Sequence, residues 1–397
     1  MFSRTMFVLA LALVVVGTTG AKPPADRLEP ARQLGAAYNR FGIKLFKEIG
    51  GLGQGENTFI SPTSAAVALA MVYSGVSGET RREMAEVLEL TGMTAAEVNE
   101  ANGILRGVLE RAGDAGAFRM ANSLWLRNEA DFVPGYLERV KVAYEAETGP
   151  LDAGLINSWV SDRTEGKIPR IIDRISDNDL LVLINAIYFK AAWQREFDPA
   201  LTEDGDFHLL SGETKQHPLM SISGKFVYGE TDGFQAIRLP YRTGRLAMYV
   251  FLPSRELGLE RFLERLSVEK WDGWLAQMQK TKGDLKLPKF KLEYKKLLNE
   301  ALVGMGMVSA FDPQGADFSE LCRQQVFLSR VLQKTFVEVN EQGTEAVAAT
   351  SATIALTAAP MQPPPVRFEI IVDRPFFCAI VDETSGSMLF VGAIVDP

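Results

Sequence analysis

Helix-forming and strand-forming patterns occupy different parts of this chain of 397 residues. In the first third, apolar residues recur at helical spacing over residues 31–49, 61–74 and 95–111. Beyond residue 180 the chain turns to short runs of β-branched and aromatic residues, such as Leu181 to Phe189, with helical insertions near residues 260–279 and 297–305, so the segregation is partial. No linker rich in Pro, Gly or Ser separates the two kinds of pattern. The segregation predicts an α+β fold and argues against an alternating βαβ array.

The composition excludes several classes of protein. Length alone suggests two or three domains. With 47% hydrophobic and 23% charged residues, the chain is neither a disordered protein nor an integral membrane protein. The formal net charge is −8, and the sequence shows no basic cluster. Because polyanions bind through Lys and Arg, we expect no nucleic-acid partner and no heparin-like polyanion.

The N-terminus has the pattern of a secretory signal peptide. Arg4 precedes an apolar run over residues 6–16, and small residues follow up to Ala21. Eleven apolar residues are too few to span a bilayer as a mature helix. We therefore predict a signal peptide over residues 1–21 and a secreted protein, extracellular or periplasmic, with no membrane attachment after cleavage. A retained membrane anchor is the alternative.

Residues that carry catalysis or bind metals are scarce. The two histidines, His208 and His217, have no HExxH motif around them and no Cys nearby, so a zinc site would lack ligands. A Ser-His-Asp hydrolase is formally possible through either His, but we expect no enzyme activity and no cofactor. Cys322 and Cys378 can pair in an oxidising compartment, although Cys378 lies in an apolar strand pattern typical of a buried thiol.

One segment, residues 341–365, differs from the rest of the chain. From residue 344 to residue 359 it contains a single charge, Glu345, and no Gly or Pro, while four prolines follow between residues 360 and 365. As a strand it would place a wholly uncharged set on one face: Thr344, Ala346, Ala348, Thr350, Ala352, Ile354 and Leu356. An ordinary buried strand or an Ala-rich helix is the plainer interpretation. The prolines favour an exposed, extended end instead.

Five ordered motifs in the chain together resemble the serpin family. They are ENTFISPTSAAVALAMVYSGVSGET (56–80), INAIYFKAAWQREFDP (184–199), LPKFKLEYKKLLNEALVGMGMVSAFDP (287–313), VEVNEQGTEAVAAT (337–350) and IIVDRPFFCAI (370–380). The resemblance implies one serpin domain over residues 22–397, with three β-sheets, about nine helices and an exposed reactive-centre loop at about 341–365. It replaces the estimate of two or three domains that length suggested.

The resemblance also implies a mechanism and a partner. A serine protease would attack the loop as a substrate, and the acyl-enzyme would be trapped when the loop inserts into the large sheet. The chain would then be a monomeric inhibitor that forms a covalent complex with its target. The alternative is a non-inhibitory serpin that acts as a carrier, a chaperone or a plain protease substrate. The small hinge residues Ala346, Ala348 and Ala349 favour inhibition.

By motif match, the resemblance assigns residues to three control regions. The shutter beneath the large sheet would contain Ser61, Ser64, Asn185 and Gln333. The breach, where the loop enters the sheet, would contain Trp193 and Lys289, with Glu341 paired to Lys289. The hinge would contain Glu341, Gly343, Thr344, Ala346, Ala348 and Ala349. This chain departs from the family at Gln333, where a titratable His is usual.

The scissile bond follows from counting along the loop as in the family's inhibitors. The count from Gly343 gives Thr357–Ala358, within about two residues. Between residues 344 and 366 there is no Lys, Arg or Asp, which disfavours trypsin-like and caspase-like targets. The small residues at the bond fit elastase-like or subtilisin-like enzymes.

Overall fold

The computed structural model describes residues 25–50, 55–111, 118–231, 233–344 and 367–397. These residues contain nine α-helices and sixteen β-strands. The helices are α1 (Ala25–Ile49), α2 (Pro62–Tyr73), α3 (Gly78–Val87), α4 (Ala95–Glu110), α5 (Pro134–Tyr144), α6 (Ala153–Arg163), α7 (Gly258–Arg265), α8 (Val268–Gln277) and α9 (Asn299–Gly304). None of the helices in these ranges is long and apolar enough to cross a membrane.

The strands form two hydrogen-bonded sheets in the described ranges. Sheet I contains β2 (Phe118–Leu126), β3 (Glu147–Pro150), β4 (Leu181–Phe189), β5 (Ala191–Ala192), β11 (Phe290–Leu297), β12 (Leu328–Asn340) and β13 (Gly343–Thr344). Sheet II contains β1 (Thr58–Ile60), β6 (Glu203–His208), β7 (Thr214–Thr231), β8 (Phe234–Pro240), β9 (Leu246–Pro253), β10 (Gln279–Pro288), β14 (Phe368–Ile371), β15 (Phe376–Asp382) and β16 (Ser387–Ile394).

Sheet I is the large sheet of the prediction, and its centre is the parallel pair β4 and β12. The two strands pair from Leu181 opposite Leu328 to Tyr188 opposite Phe336. All nine residues of β4 are buried, as expected for a continuous apolar run covered on both faces. Helix α6 packs on one face through Ile156. Helix α2 contacts β4 and β2 from the other side.

Strand β7 explains why two sheets are present where the resemblance implies three. It is 18 residues long, and its first part pairs with β6 and β10 while its last part pairs with β8. Because β7 changes partners along its length, it joins these hydrogen-bond ladders into one sheet. The second and third sheets are therefore one connected sheet in the described residues, and the α+β class is confirmed.

Helix α2 places two of the predicted polar residues at the centre of the molecule. Ser61 caps its N-terminus by accepting a hydrogen bond from the backbone N–H of Ser64, and Pro62 occupies the first turn, where its missing N–H costs nothing. All twelve residues of the helix are buried. A helix without a polar face must lie inside the protein, so the side chains at its N-terminus meet sheet I away from water.

Cys322 and Cys378 are both free, buried thiols. Cys378 belongs to β15 in sheet II, and burial raises the pKa of its thiol to about 12. The backbone of Cys322 forms an isolated antiparallel β-bridge with that of Phe132. The disulfide that the sequence left open is therefore not formed.

Candidate functional site

Four polar side chains that the sequence analysis assigns to the shutter meet at the junction of β4 and β12. Gln333 and Asn185 are opposite each other in the ladder, and Gln333 Nε2 donates to Asn185 Oδ1 at 2.7 Å. Gln333 also donates to the Ser61 carbonyl at 3.0 Å and accepts from the Ser61 N–H at 3.1 Å. Asn185 Nδ2 donates to Ser64 Oγ at 2.6 Å. Each of the four residues is at most 1% exposed.

A fifth member of the cluster, Asn122 on β2, was not predicted. Its Oδ1 accepts a hydrogen bond from Asn185 Nδ2 at 2.5 Å, and the two residues are directly opposite in the β2–β4 ladder. The amides of Asn122, Asn185 and Gln333 therefore link three adjacent strands of sheet I. The sequence carried a signal for it, because Asn122 interrupts a buried apolar strand just as Asn185 does.

The cluster is electrically neutral, and the side-chain amide of Gln333 is fully hydrogen-bonded. Both polar atoms of the Gln333 side chain have partners, and none of the three amide-bearing residues titrates. Ser61 Oγ donates to the Leu389 carbonyl of sheet II at 2.5 Å. A buried polar group without a partner costs roughly 1–3 kcal/mol. Separation of β4 from β12 would break the Asn185–Gln333 hydrogen bond and leave these buried polar atoms without that partner, at the cost just given.

Beyond the paired part of β4 and β12, the short strand β13 lies between their continuations; we call this region the fork. Val339 and Asn340 pair with Thr344 and Gly343 on one side. On the other side Gly343 pairs with Ala192 of β5. The first residues of the predicted hinge are therefore already strand residues of sheet I.

Gly343 fits the fork because it has no side chain. A Cβ at this position would lie 2.2 Å from the Ala191 carbonyl oxygen and 2.6 Å from the Ala192 Cα. Its neighbour Thr344 is fully buried, and the Thr344 hydroxyl is 2.8 Å from the Tyr241 hydroxyl. Thr344 thus shows which face of the hinge points into the protein.

The turn between β12 and β13 is held by the residues assigned to the breach. Lys289 Nζ lies 3.0 Å from both carboxylate oxygens of Glu341. Thr202 donates a further hydrogen bond to the carboxylate at 2.9 Å. Trp193 Nε1 donates to the Asn340 carbonyl at 2.9 Å, and its ring stacks on Tyr241 with centroids 4.6 Å apart. The predicted Lys289–Glu341 ion pair is confirmed.

The environment of Glu341 favours its ionised form. Burial by itself would raise the pKa of the carboxyl group. Its own backbone N–H, Lys289 and Thr202 outweigh that effect, and the pKa is lowered below its ordinary value of 4.5. At neutral pH the turn therefore carries a fixed negative charge that Lys289 neutralises.

The remaining predicted residues fall outside the described ranges. These are the hinge residues Ala346, Ala348 and Ala349, the scissile pair Thr357–Ala358, and the signal peptide over residues 1–21. Among the residues that the structure does describe, no group of three His, Cys, Asp or Glu side chains could hold a metal ion.

Comparison with known proteins places this geometry in a family. The family model for serpins, described as serine protease inhibitors, matches residues 36–397. Human leukocyte elastase inhibitor is 32% identical over 384 residues, which cover 92% of this chain and all of that protein. The native state of the thermophilic serpin tengpin superposes with a TM-score of 0.82 at 27% identity, covering 96% of both chains. Human thyroxine-binding globulin, complexed with thyroxine, also superposes with a TM-score of 0.82 at 25% identity. The superposition covers 93% of this chain and 99% of that one.

Proposed function

Because the chain belongs to the serpin family, we propose that it inhibits a serine protease as a suicide substrate. The observation that carries the proposal is the position of β13 in the fork, where Gly343 and Thr344 pair with strands on both sides. The rest of the loop can add to this start one residue at a time. Extension of an existing strand avoids the entropy of a new nucleus.

The proposed reaction begins when the protease binds the reactive-centre loop as a substrate. The serine hydroxyl of the protease attacks the carbonyl carbon of Thr357 and forms an ester, and its proton passes through the enzyme's general base to the leaving amine of Ala358. The Thr357–Ala358 peptide bond breaks. Water would normally hydrolyse the ester and free both partners. Inhibition requires that loop insertion distort or displace the enzyme before water attacks.

Insertion would extend β13 between β4 and β12. The 14 residues from Thr344 to Thr357 form a strand of roughly 46 Å at about 3.3 Å per residue. The existing β4–β12 pairing over Leu181 to Tyr188 must open. In exchange, the new strand makes ladders on both of its edges, each hydrogen bond being worth about 1 kcal/mol net. The uncleaved form is accordingly the less stable of the two.

The fold by itself does not decide between inhibition and the alternative of a carrier or plain substrate. Thyroxine-binding globulin has a very similar fold, and its name describes ligand binding. The hinge sequence supports inhibition here, since Ala346, Ala348 and Ala349 are small and uncharged and can enter a packed sheet. We propose an elastase-like or subtilisin-like target, in agreement with the name of the leukocyte elastase inhibitor.

We further propose that the protein is secreted and acts as a monomer. Secretion is supported by the signal-peptide pattern over residues 1–21. A one-to-one complex is what a single loop on a single serpin domain can form.

A gel experiment tests the proposed function. The chain is incubated with pancreatic elastase, subtilisin, chymotrypsin and trypsin, and the products are separated in SDS. We expect a covalent complex with elastase or subtilisin, and N-terminal sequencing of the released fragment should begin at Ala358 or within two residues of it. A clipped loop without any complex would support the plain-substrate alternative. Rapid inhibition of trypsin alone would overturn the assigned target class.

A further inference from the structure

One exposed face of sheet II is rich in lysine. Lys280, Lys282 and Lys286 alternate along β10, so their side chains share a face, while Leu285 and Leu287 between and beyond them are buried. Lys225 of β7 is directly opposite Lys282 in the antiparallel ladder. We call these four residues, Lys225, Lys280, Lys282 and Lys286, the lysine face.

The lysine face is not neutralised within the described part of the chain. None of the four ammonium groups takes part in an ion pair there, unlike those of Lys215, Lys289 and Lys291. Two acids share the face: Asp284, which is bound by Ser223 and by Arg367, the latter at 3.2 Å, and Glu369, which is exposed and opposite Asp284 on β14. Like charges directly opposite in a sheet are unfavourable. The protein tolerates this cost although its net charge is −8.

Protection of an open sheet edge does not explain all of these lysines. Lysine often blocks unwanted pairing on edge strands, and Lys280 and Lys282 precede the part of β10 that pairs with β14. Lys286, however, lies where β10 is paired on both sides, with β7 and with β14. At this position the sheet has no open edge to protect.

The lysine face lies beside the strand that receives the end of the loop. Strand β14 (Phe368–Ile371) pairs with β10 in parallel, with Glu369 opposite Asp284. Only residues 359–366 separate the scissile pair from Arg367. Eleven residue steps join Thr357 to Phe368, the first residue of β14; they span at most roughly 40 Å, so a protease held at Thr357 remains within that distance of β14.

We propose that the lysine face is a secondary contact surface for the target protease and binds an acidic patch on that enzyme. The inference rests on the proposed function, because it names the surface chemistry of the partner that attacks the loop. The excess of positive charge on this face, next to the attack site, would draw an acidic enzyme toward the loop and hold it there. Such steering raises association rates by about 10- to 1000-fold at low salt and disappears as salt screens the charges.

The test compares the double variant Lys225→Gln/Lys282→Gln with the parent chain. The control is Lys141→Gln, because Lys141 is an exposed lysine of α5, outside sheet II, with no ion pair in the described residues. Two elastase-like or subtilisin-like enzymes serve as probes, one with an acidic and one with a basic isoelectric point. The readout is the second-order rate of attack on the loop, counted as covalent complex plus cleaved chain, at low and high NaCl.

We expect the double variant to react about tenfold more slowly than the parent with the acidic enzyme at low salt, and equally fast at high salt. The control should stay within twofold. Equal rates for the parent and the double variant with the acidic enzyme would overturn the proposal. So would unchanged protease rates combined with parent-only retention on a sulfated polysaccharide column, which would assign the face to a polyanion. The readout counts cleaved chain as well as covalent complex. The rate of attack on the loop can therefore be measured even if no covalent complex forms and the proposed function fails.

Discussion

At the residue scale, three amide side chains join adjacent strands of sheet I through hydrogen bonds that carry no charge. Gln333 bonds to Asn185 and to the backbone of Ser61 without any charge that depends on pH. The motif comparison found Asn185 and Gln333, because both stand in recognisable family segments. It missed Asn122, whose role depends on which strand lies beside β4, and strand order cannot be read from one sequence.

We predict that Gln333→His makes the uncleaved form sensitive to pH. Burial disfavours a charged imidazole and lowers its pKa. The stability of this variant would be intact above the ordinary His pKa and lost as pH falls through the lowered value. The half-life of inhibitory activity should therefore shorten below about pH 6 in the Gln333→His variant. The parent should show no loss of activity near that pH that the Gln333→Leu substitution abolishes. A parent with such a loss would contradict the assignment.

We predict that Lys289→Met destabilises the uncleaved form at neutral pH by about 1–2 kcal/mol. Loss of a fully buried partner costs more, but the Lys289 side chain is 38% exposed. The lowered pKa of Glu341 means that its contribution is present above 4.5 and lost as pH falls through the folded-state value.

The urea midpoint of the Lys289→Met variant should accordingly approach that of the parent in acid. The control is Lys291→Met, whose pair with Glu338 involves a lysine that is 64% exposed, and we expect it to change stability by less than about 0.5 kcal/mol. A penalty at Lys289 that did not depend on pH would show that the ion pair is not its cause.

At the element scale, how well a strand or helix was predicted depended on how much of it is buried. The run from Leu181 to Phe189 was predicted with its observed bounds because all its residues are buried and all except Asn185 are apolar. Strand β11 was found only through its family motif (residues 287–313), since its exposed lysines and glutamate alternate with few apolar residues. Helix α6 was missed because only Ile156 and Val160 are buried in it, which leaves a weak helical pattern.

We predict that Gly343→Ala forces β13 out of the fork. The new Cβ would collide with backbone atoms of Ala191 and Ala192, which cannot move aside as a side chain can. The uncleaved form should lose about 1–3 kcal/mol, and hydrogen exchange at the Ala191 and Thr344 amides should speed up. Gly103→Ala is the control: nothing lies within 4 Å of its Cβ position in α4, so we expect it to be neutral or slightly stabilising. Equal effects at the two glycines would contradict the packing argument.

At the scale of the whole molecule, the account requires two forms of the same chain with different stability. The described residues have β4 paired with β12, and the hinge residues Gly343 and Thr344 lie in the fork. Cleavage would free the rest of the loop to insert. The family and the α+β class followed from the sequence, but the joining of two sheets through β7 did not, because a sequence does not show where a long strand changes partners.

We predict that the cleaved chain is more heat-stable than the intact one. If most of about ten new ladder bonds form at about 1 kcal/mol each, the thermal midpoint should rise by on the order of 10 °C or more. Calorimetry of the intact and the protease-clipped chain measures this difference. An unchanged midpoint would mean that the loop does not insert.

The most direct test of the central claim is the stoichiometry of inhibition by Ala346→Arg. Thr344 is buried in the fork, and residues two apart in a strand share a face, so residue 346 would face the interior after insertion. An arginine there would slow insertion but not docking, because the charge is costly only when it leaves water. We expect the variant to be cleaved at the parent's bond and rate, yet to release active protease, whereas Glu345→Arg, on the opposite face, should still inhibit. Equal inhibition by Ala346→Arg and the parent, or equal damage from both substitutions, would contradict the insertion mechanism.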